Sequence, residues 1–347
     1  MRVAIIAPPW VPIPPPAYGG TEAVLDGLAR GLQAAGHEVL LYATGDSTCP
    51  VPRAWVFERA LTVDLARPAT ELRHVINAYE CVAGQVDIVH DHTLAGPVYA
   101  QAYSDLPVVT TNHGPFDDEL GDYYRALSAT VPIIAISRHQ ASTARDTKVA
   151  AVIHHGVDAS CYPLGDGGGG FALFLGRMTA TKGVHTAARA ARKAGVPLKI
   201  AAKLDEAAEH AYFDQEVAPL LGDGVEFVGE IGGDDKAELI GQARCLLNPI
   251  AWAEPFGMVM IESLVSGTPV VSTGPGSVPE IIDEGVTGFI RETEDELAEA
   301  LGQVADLDRA RCRAAAVERF SLERMVDDHV RLFEEIIARP PRPARRA

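Results

Sequence analysis

Two glutamates separated by seven residues mark the stretch of this 347-residue sequence that is richest in candidate chemistry. Glu254 stands in a loop just before Pro255, and Glu262 follows about one turn inside the helix that the pattern predicts next. Carboxylates are strong acceptors for hydroxyl groups, and the free N–H groups of a helix start bind phosphate. These residue types predict a site for a polyhydroxylated diphosphate. Two carboxylates are also compatible with glycoside hydrolysis, but the anion-binding features beside them make that alternative less attractive.

Two cations, Arg177 and Lys182, lie five residues apart in a second loop, which follows the predicted strand Phe171–Leu175. A fixed pair of cationic donors suits a diphosphate, and suits even better a nucleoside diphosphate that gains charge as it leaves. The alternative is a solvated charged loop. The order of residues does not match the G-x-x-x-x-G-K-[ST] phosphate-binding loop.

Two features of the N-terminal half are candidates for ligand contact. Gly19 and Gly20 open a predicted helix, where adjacent glycines permit close backbone approach and free N–H groups suit an anion; the alternative is an ordinary helix start. His113 follows a predicted strand and could donate to a substrate hydroxyl or a developing charge, although a lone histidine is more often structural. His90 and His92 could join it at a metal, but no carboxylate spacing completes a ligand set, so we predict no metal site.

Short β-branched strands alternate with Ala-rich helices, and this rhythm predicts an α/β fold with parallel, helix-covered sheets. This alternation of strands and helices is interrupted near residues 155–170, which predicts two α/β units with a hinge there. Gly165–Gly170 fits a linker; it also matches G-x-G-x-x-G, but the dinucleotide fingerprint follows a strand and this segment precedes one. The predicted strands, at whose carboxyl ends ligands are expected, are Arg2–Ala7, Val39–Ala43, Asp87–His90, Val108–Thr111, Ile133–Ile136, Phe171–Leu175, Leu198–Ala202, Val225–Val228, Cys245–Asn248 and Pro269–Ser272.

The composition limits the function classes. The 30 Lys+Arg against 47 Asp+Glu give a formal net charge of −17, which disfavours a nucleic-acid partner because a net anion repels phosphates. Five scattered cysteines without a C-x-x-C pair argue against a disulfide framework and fit a reducing compartment. No signal peptide or membrane-spanning stretch is visible, so we predict a cytoplasmic protein. The tail RPPRPARRA is typical of a disordered end.

Short motifs along nearly the whole chain resemble those of retaining glycosyltransferases of family 4. The most specific is the Glu254-x7-Glu262 pattern within EPFGMVMIESLVSGTPVVST. Five further motifs occur in the family order, namely Gly19-Gly20-Thr21-Glu22 (G-G-x-E), His155-Gly156-Val157-Asp158 (G-V-D), Gly176-Arg177 with Lys182-Gly183 (G-R…K-G), Gly276-Ser277-Val278-Pro279-Glu280 (G-G-x-P-E) and Val286-Thr287-Gly288-Phe289 (T-G-F). Each is weak alone, and the six together are specific.

The resemblance implies the GT-B architecture, in which two Rossmann-like domains with parallel sheets face a central cleft. It implies an N-terminal acceptor-side domain at residues 1–160 and a nucleotide-sugar-binding domain at residues 161–320. A C-terminal helix at residues 321–338 is expected to cross back to the first domain.

The resemblance also implies roles for individual residues. Arg177 and Lys182 would hold the donor diphosphate, and Glu254 would bind sugar hydroxyls. His113 would lie near the reacting sugar, and these four residues form the expected catalytic set. Glu262 would bind the ribose. Further contacts to phosphate, sugar or base are implied for Gly19, Gly20, Val228, Ile231, Phe256, Gly257, Met258 and Val259. Two departures from the family pattern are Ser277, in place of a second glycine, and Lys203, which would add a phosphate contact.

The activity implied is transfer of a hexose from a nucleoside diphosphate sugar to a hydroxyl, with retained configuration and front-face attack. Family frequency favours a UDP-sugar over a GDP-sugar. No cofactor or metal is expected, because Arg177, Lys182 and helix amides would do the work of the ion. A nucleotide-sugar-binding protein without transfer activity and a nucleotide-sugar epimerase stay open as alternatives.

Charge distribution and composition indicate the kind of acceptor. The first domain shows no Lys/Arg cluster, so a membrane is not the expected partner and a small soluble acceptor is preferred. The Ala/Arg/Gly/Pro-rich style resembles actinobacterial proteins, which makes a secondary metabolite, for example from an orthosomycin-type pathway such as avilamycin's, the favoured acceptor. The sequence does not indicate an oligomeric state.

Overall fold

The structure is a computed structural model that describes residues 1–61 and 67–339. The chain divides into two compact units. Unit 1 contains Met1–Gly156 together with the chain from Leu322 onward, and unit 2 contains Val157–Ser321. The chain therefore passes between the units twice, once after Gly156 and once after Ser321. Most of the C-terminal tail predicted to be disordered lies outside the described residues.

Unit 1 is built on a parallel sheet. Across the described residues its strand order is β3-β2-β1-β4-β5-β6-β7. The strands are β1 Arg2–Ile6, β2 Glu38–Ala43, β3 Arg53–Trp55, β4 Ile88–Asp91, β5 Val108–Thr111, β6 Ile133–Ala135 and β7 Val149–Val152, and the helices between them are α1 Gly20–Ala34, α2 Pro68–Val82, α3 Gly96–Tyr99, α4 Asp118–Leu127 and α5 Arg138–Thr143.

Unit 2 is built on a second parallel sheet, with the order β10-β9-β8-β11-β12-β13. Its strands are β8 Ala172–Arg177, β9 Leu198–Lys203, β10 Val225–Gly229, β11 Cys245–Asn248, β12 Val270–Ser272 and β13 Gly288–Ile290, and its helices are α6 Val184–Ala194, α7 Ala207–Tyr212, α8 Gly233–Gln242, α9 Met258–Val265, α10 Val278–Ile281, α11 Glu294–Gln303 and α12 Arg309–Phe320. The last helix, α13 Leu322–Ile337, belongs to unit 1.

Burial explains why these segments form a helix-covered parallel sheet. The central strand β1 is fully buried from Val3 to Ile6, as expected where helices cover both faces. Helix α1 packs against α13, and Gly31 makes the close approach possible because a Cβ there would lie 2.5 Å from Cγ2 of Val326. The predicted fold class, α/β with two parallel-sheet Rossmann-like units, is thereby confirmed.

The prediction of a linker at Gly165–Gly170 is wrong, because this glycine-rich segment is packed and hydrogen-bonded. It lies inside unit 2, where Gly165 N donates to Ser266 O at 2.9 Å and Gly169 N donates to Gln242 O at 3.0 Å. Without side chains, these residues approach α8 closely: a Cβ on Gly165 would lie 2.1 Å from Gly241 O. The glycines therefore serve close packing rather than flexibility. Within the described residues, we find no helix long and apolar enough to cross a bilayer.

Candidate functional site

The strand order of unit 2 locates its ligand edge. Chain connections run outward from β8 through β9 to β10 on one side and from β11 through β12 to β13 on the other. Ligands of open parallel sheets bind at such a reversal point, outside the carboxyl ends of the strands. The loop after β8 carries Arg177 and Lys182, and the loop after β11 carries Glu254. The three residues therefore lie in loops that follow the adjacent strands β8 and β11.

Lys182 and Glu254 form a close ion pair across these two loops. The Lys182 Nζ atom lies 2.8 Å from Oε1 and 2.6 Å from Oε2 of Glu254, and Trp252 Nε1 donates to Oε2 at 3.2 Å. The side chains are only 18% and 14% exposed. Gly183, with φ +75°, permits this approach because a Cβ there would lie 1.9 Å from Pro249 O.

Arg177, at the end of β8, is held by two carboxylates that the sequence analysis missed. Its Nε donates to Glu209 Oε1 at 2.8 Å and its Nη2 donates to Glu206 Oε1 at 2.6 Å. Burial alone would lower the pKa of Arg177, but these hydrogen bonds outweigh burial and raise it. Burial acts to raise the pKa of Glu209, but backbone N–H donors and Arg177 lower it overall. Arg177 is therefore a fixed cation, 36% exposed.

Glu209 is set by local structure. Glu206 and Glu209 make a capping box at the start of α7, in which Glu209 Oε2 accepts from the N–H groups of Asp205 and Glu206. This E-x-x-E spacing before a helix is the sequence signal that could have identified the pair. Lys203, predicted as an additional phosphate contact, pairs with Asp205 at 3.2 Å.

Glu262 lies on α9 with its side chain buried. Its Oε1 accepts from Tyr162 OH at 2.9 Å and from Lys236 Nζ at 2.7 Å. Burial raises the pKa of Tyr162 far above its usual range, and the negative charge of the neighbouring Glu262 raises it further. Neither Tyr162 nor Lys236 was predicted, because both are distant in sequence from Glu262 and no local pattern connects them.

The segment before α9 shapes the site backbone. Gly257 caps the helix with φ +97°, and no side chain caps its first N–H groups. Phe256 is buried, while Met258 and Val259 are partly exposed. Ser277, the departure from the family pattern, stabilises this loop: its hydroxyl donates to Phe256 O and its N–H donates to Glu254 O at 3.0 Å.

The remaining residues predicted for unit 2, Val228 and Ile231, lie at the end of β10 and just after it. Both are partly buried. Strand β10 is at the edge of the sheet, beyond β9, so these residues are separated from the loop after β8 by one strand.

In unit 1 the strand order reverses between β1 and β4. The long loop after β1 leads to Gly19 and Gly20, where α1 begins without a side-chain cap. A Cβ on Gly19 would lie 2.6 Å from Cβ of Pro15, so the loop packs too closely there for another residue. The predicted helix start is present, and a role for its N–H groups in binding an anion stays a prediction.

His113 lies in a stack of histidine rings within unit 1. Its Nε2 is 2.9 Å from Nδ1 of His92, and its ring stacks on His155 with centroids 5.4 Å apart. The ring centroids of His92 and His90 are 4.0 Å apart, and those of His90 and His329 are 5.2 Å apart. Burial lowers the pKa of His113 and of His329 to about 4, so these rings are neutral near pH 7.

A hydrogen-bonded turn fixes the backbone at His113. Asn112 Oδ1 accepts from Gly114 N at 2.9 Å, and Gln140 Nε2 donates to Asn112 O at 2.9 Å and to Gly114 O at 2.6 Å. Gln140, which comes from α5, was not predicted as part of the site. Although His90, His92 and His113 are brought together, no group of three or more His, Cys, Asp or Glu side chains among residues 1–61 and 67–339 is arranged to hold a metal.

Comparison with known proteins agrees with this division of the chain. Residues 18–160 match the family Glycosyltransferase Family 4, and residues 165–319 match Glycosyl transferases group 1. The chain is 27% identical to the alpha-maltose-1-phosphate synthase of Mycolicibacterium smegmatis over 97% of this chain and 100% of the relative.

Solved structures show the same architecture. AviGT4, a glycosyltransferase involved in avilamycin A biosynthesis, is 26% identical and superposes with a TM-score of 0.74 over 98% of this chain and 99% of AviGT4. Anabaena Alr3699/HepE, solved in complex with UDP and glucose, is 18% identical with a TM-score of 0.77 over 96% of this chain and 99% of HepE. The chain belongs to the family 4 glycosyltransferases of GT-B fold, and it is a glycosyltransferase.

Proposed function

We propose that this chain transfers a hexosyl group from a nucleoside diphosphate sugar, with UDP favoured as the nucleotide, to a hydroxyl of a small soluble acceptor with retained anomeric configuration. The observation that carries the proposal is the Lys182–Glu254 pair at the reversal point of the second sheet. An ammonium suits a phosphate and a carboxylate suits sugar hydroxyls, so the pair supplies recognition for both halves of a nucleotide sugar.

The leaving group gains negative charge as the glycosidic bond breaks. Arg177 and Lys182 are cations that are already oriented, so they need little reorganisation when that charge develops. The uncapped N–H groups at the start of α9 add a further positive end. We infer that these groups stabilise the departing diphosphate without a metal, and that addition of EDTA leaves the rate unchanged.

The two units divide the work in this proposal. Unit 2 binds the donor, with Glu262 on the ribose and Val228 and Ile231 against the base. Unit 1 provides His113 as a hydrogen-bond donor to the sugar, and the helix start at Gly20 as a backbone contact. AviGT4 is involved in the biosynthesis of avilamycin A, which supports a small metabolite as the acceptor.

The test is turnover of candidate donors by the purified protein. We expect slow hydrolysis of one UDP-sugar in the absence of acceptor, releasing sugar whose initial anomer, read by proton NMR, matches the donor. Release of the opposite anomer would contradict retention. A donor that binds but is never cleaved would indicate a binding protein, and a new sugar still linked to the nucleotide would indicate an epimerase.

A further inference from the structure

The contact between His92 and His113 gives one ring nitrogen of His113 a protein partner. His92 follows β4 and His113 follows β5, so the neighbouring strands place both side chains at the same edge of the sheet. The Nδ1 atom of His92 lies 2.9 Å from Nε2 of His113. Because Nε2 is engaged, Nδ1 is the nitrogen of His113 that remains for a ligand.

Both rings of the pair are neutral near pH 7. Burial lowers the pKa of His92 far below its usual value, with the neighbouring His90 ring contributing, and burial also lowers that of His113. The charged groups beside the stack do not reverse this: burial also lowers the pKa of His90, His155 and His329, and Arg324, which donates to His155 O, is paired with Asp328 at 3.0 Å.

Two neutral imidazoles in contact share a single proton between the facing nitrogens. In one arrangement His92 Nδ1–H donates to His113 Nε2, and His92 Nε2 is left as a lone pair. In the other arrangement His113 Nε2–H donates to His92 Nδ1, and His92 Nε2 carries a proton. The two arrangements therefore differ in which group is left at His92 Nε2 and in which tautomer His113 adopts.

The surroundings of His92 Nε2 decide between these arrangements. This atom is buried and has no hydrogen-bond partner in the described part of the chain. A buried donor without a partner is rarer in proteins than an under-satisfied acceptor. The bare lone pair is therefore favoured at Nε2, which places the proton of His92 on Nδ1, facing His113.

We propose that His92 is a positioning residue that donates from Nδ1 to Nε2 of His113 and so fixes His113 as the tautomer with its proton on Nδ1. His113 is then set to donate to a substrate oxygen rather than to accept from one. The partner of a neutral imidazole selects its tautomer in this way. The stacking of His155 on the ring of His113 holds its plane while the hydrogen bond holds its rotation. The role of the substrate rests on the proposed function, whereas the tautomer does not.

The direct test is NMR of the full-length protein labelled with ¹⁵N-histidine, without substrate. Long-range proton–nitrogen spectra distinguish protonated from bare ring nitrogens, and the His113 signals are assigned by their loss in His113→Asn. At pH 7.5 we expect Nδ1 of His113 to be protonated and Nε2 to be bare. A protonated Nε2 in the wild-type protein overturns the proposal, whether or not any glycosyl transfer is found.

Two substitutions of His92 test the direction of donation. His92→Asn keeps an amide donor near the position of Nδ1 and should preserve the tautomer of His113. His92→Asp offers only an acceptor and should move the proton of His113 to Nε2. An unchanged tautomer in a folded His92→Asp protein contradicts the proposal; if that variant does not fold, the wild-type spectrum remains decisive.

The activity readout separates positioning from general stability. We expect His92→Asp to lower kcat by roughly tenfold, the worth of one hydrogen bond, with less change in KM for the donor, and we expect His92→Asn to restore most of the loss. His74→Gln is the matched control, because His74 is another buried histidine of unit 1, bonded to Ala7 O at 2.8 Å and not to His113. Equal losses of kcat in His92→Asn and His92→Asp would contradict a role in tautomer selection.

Discussion

The ammonium of Lys182 lies 2.6 Å from Oε2 of Glu254, so the cation proposed for phosphate and the anion proposed for sugar neutralise each other in the free protein. A pair this buried keeps two charged groups oriented at the ligand edge of the sheet without leaving either uncompensated. A nucleotide sugar would offer each group a new partner, phosphate for Lys182 and hydroxyls for Glu254.

This exchange of partners predicts opposite effects of Glu254→Gln on two ligands. The substitution keeps the shape but frees Lys182 from its carboxylate, so UDP alone should bind as tightly as before or more tightly. Sugar transfer should fall about 100-fold or more, because a strong acceptor for sugar hydroxyls is lost. Calorimetric titration with UDP and steady-state kinetics measure the two effects. A matched loss of UDP affinity and turnover would show that Glu254 does not act on the sugar.

Arg177→Ala should lower turnover by about 10²–10³, the scale for losing one donor to a developing charge. Its matched control is Glu206→Gln, which weakens one hydrogen bond to Arg177 from a side chain that is 63% exposed and should change turnover less than threefold. Steady-state kinetics with a saturating donor make the comparison. If Arg177→Ala retains full turnover, Arg177 does not stabilise the leaving group.

Gly183→Ala should destabilise the protein by more than about 2 kcal/mol. The residue has φ +75°, and a Cβ there would collide with Pro249 O at 1.9 Å. Gly195 is a matched control at the other end of the same helix, because it has φ +65° and open space around the position of a Cβ. Gly195→Ala should cost only about 1 kcal/mol. Urea unfolding of both variants measures the difference, and equal costs would mean that the loop at Gly183 adjusts.

The buried histidines of unit 1 predict that its stability falls in mild acid. Burial lowers the pKa of His74, His113 and His329 to about 4, below the value near 6.5 in the unfolded chain. The unfolded chain therefore binds more protons between these values, so the free energy of unfolding is greatest above pH 6.5 and declines as pH falls toward 4.

Asp91 acts in the opposite direction. Burial raises its pKa to about 7, so its own contribution to stability declines as pH rises from about 4 to 7. Asp91→Asn should consequently make the free energy of unfolding rise more steeply with pH in this window than it does in the wild-type protein. Urea titrations at pH 4.5, 5.5, 6.5 and 7.5 test both statements. A wild-type profile that is flat or falls toward pH 6.5 would contradict the neutral histidine stack.

Local sequence patterns were sufficient to predict most of the strands and the fold class. Continuous apolar strands such as β1 and the amphipathic helix α1 are specified by residues close in sequence, so β1 was predicted to within one residue and the start of α1 was predicted at Gly19-Gly20. The missed strands β3, β7 and β13 have only three or four residues each, and all three lie at sheet edges, so each offers too short a pattern to distinguish a strand from a loop. Gly165–Gly170 was predicted as a flexible linker because glycine is favoured both where a chain bends freely and where two backbone segments pack closely.

The candidate site was predicted less completely. Lys182 and Glu254 were identified because each stands in a recognisable motif after a strand. Their neighbours were not: Glu209 binds Arg177 from 32 residues away, and Tyr162 reaches Glu262 across 100 residues. Such partners are selected by the tertiary fold, and no periodicity in a single sequence records them.

Calorimetric titration of UDP into the wild-type protein and into the double variant Arg177→Ala, Lys182→Ala most directly tests whether these two cations bind a nucleoside diphosphate. Lys193→Ala, which removes one exposed cation of the same unit, controls for the loss of a surface cation outside the site. We predict that the double substitution raises the Kd for UDP by about 100-fold or more, while Lys193→Ala leaves it within twofold. A double variant that binds UDP as tightly as the wild-type protein would contradict the account.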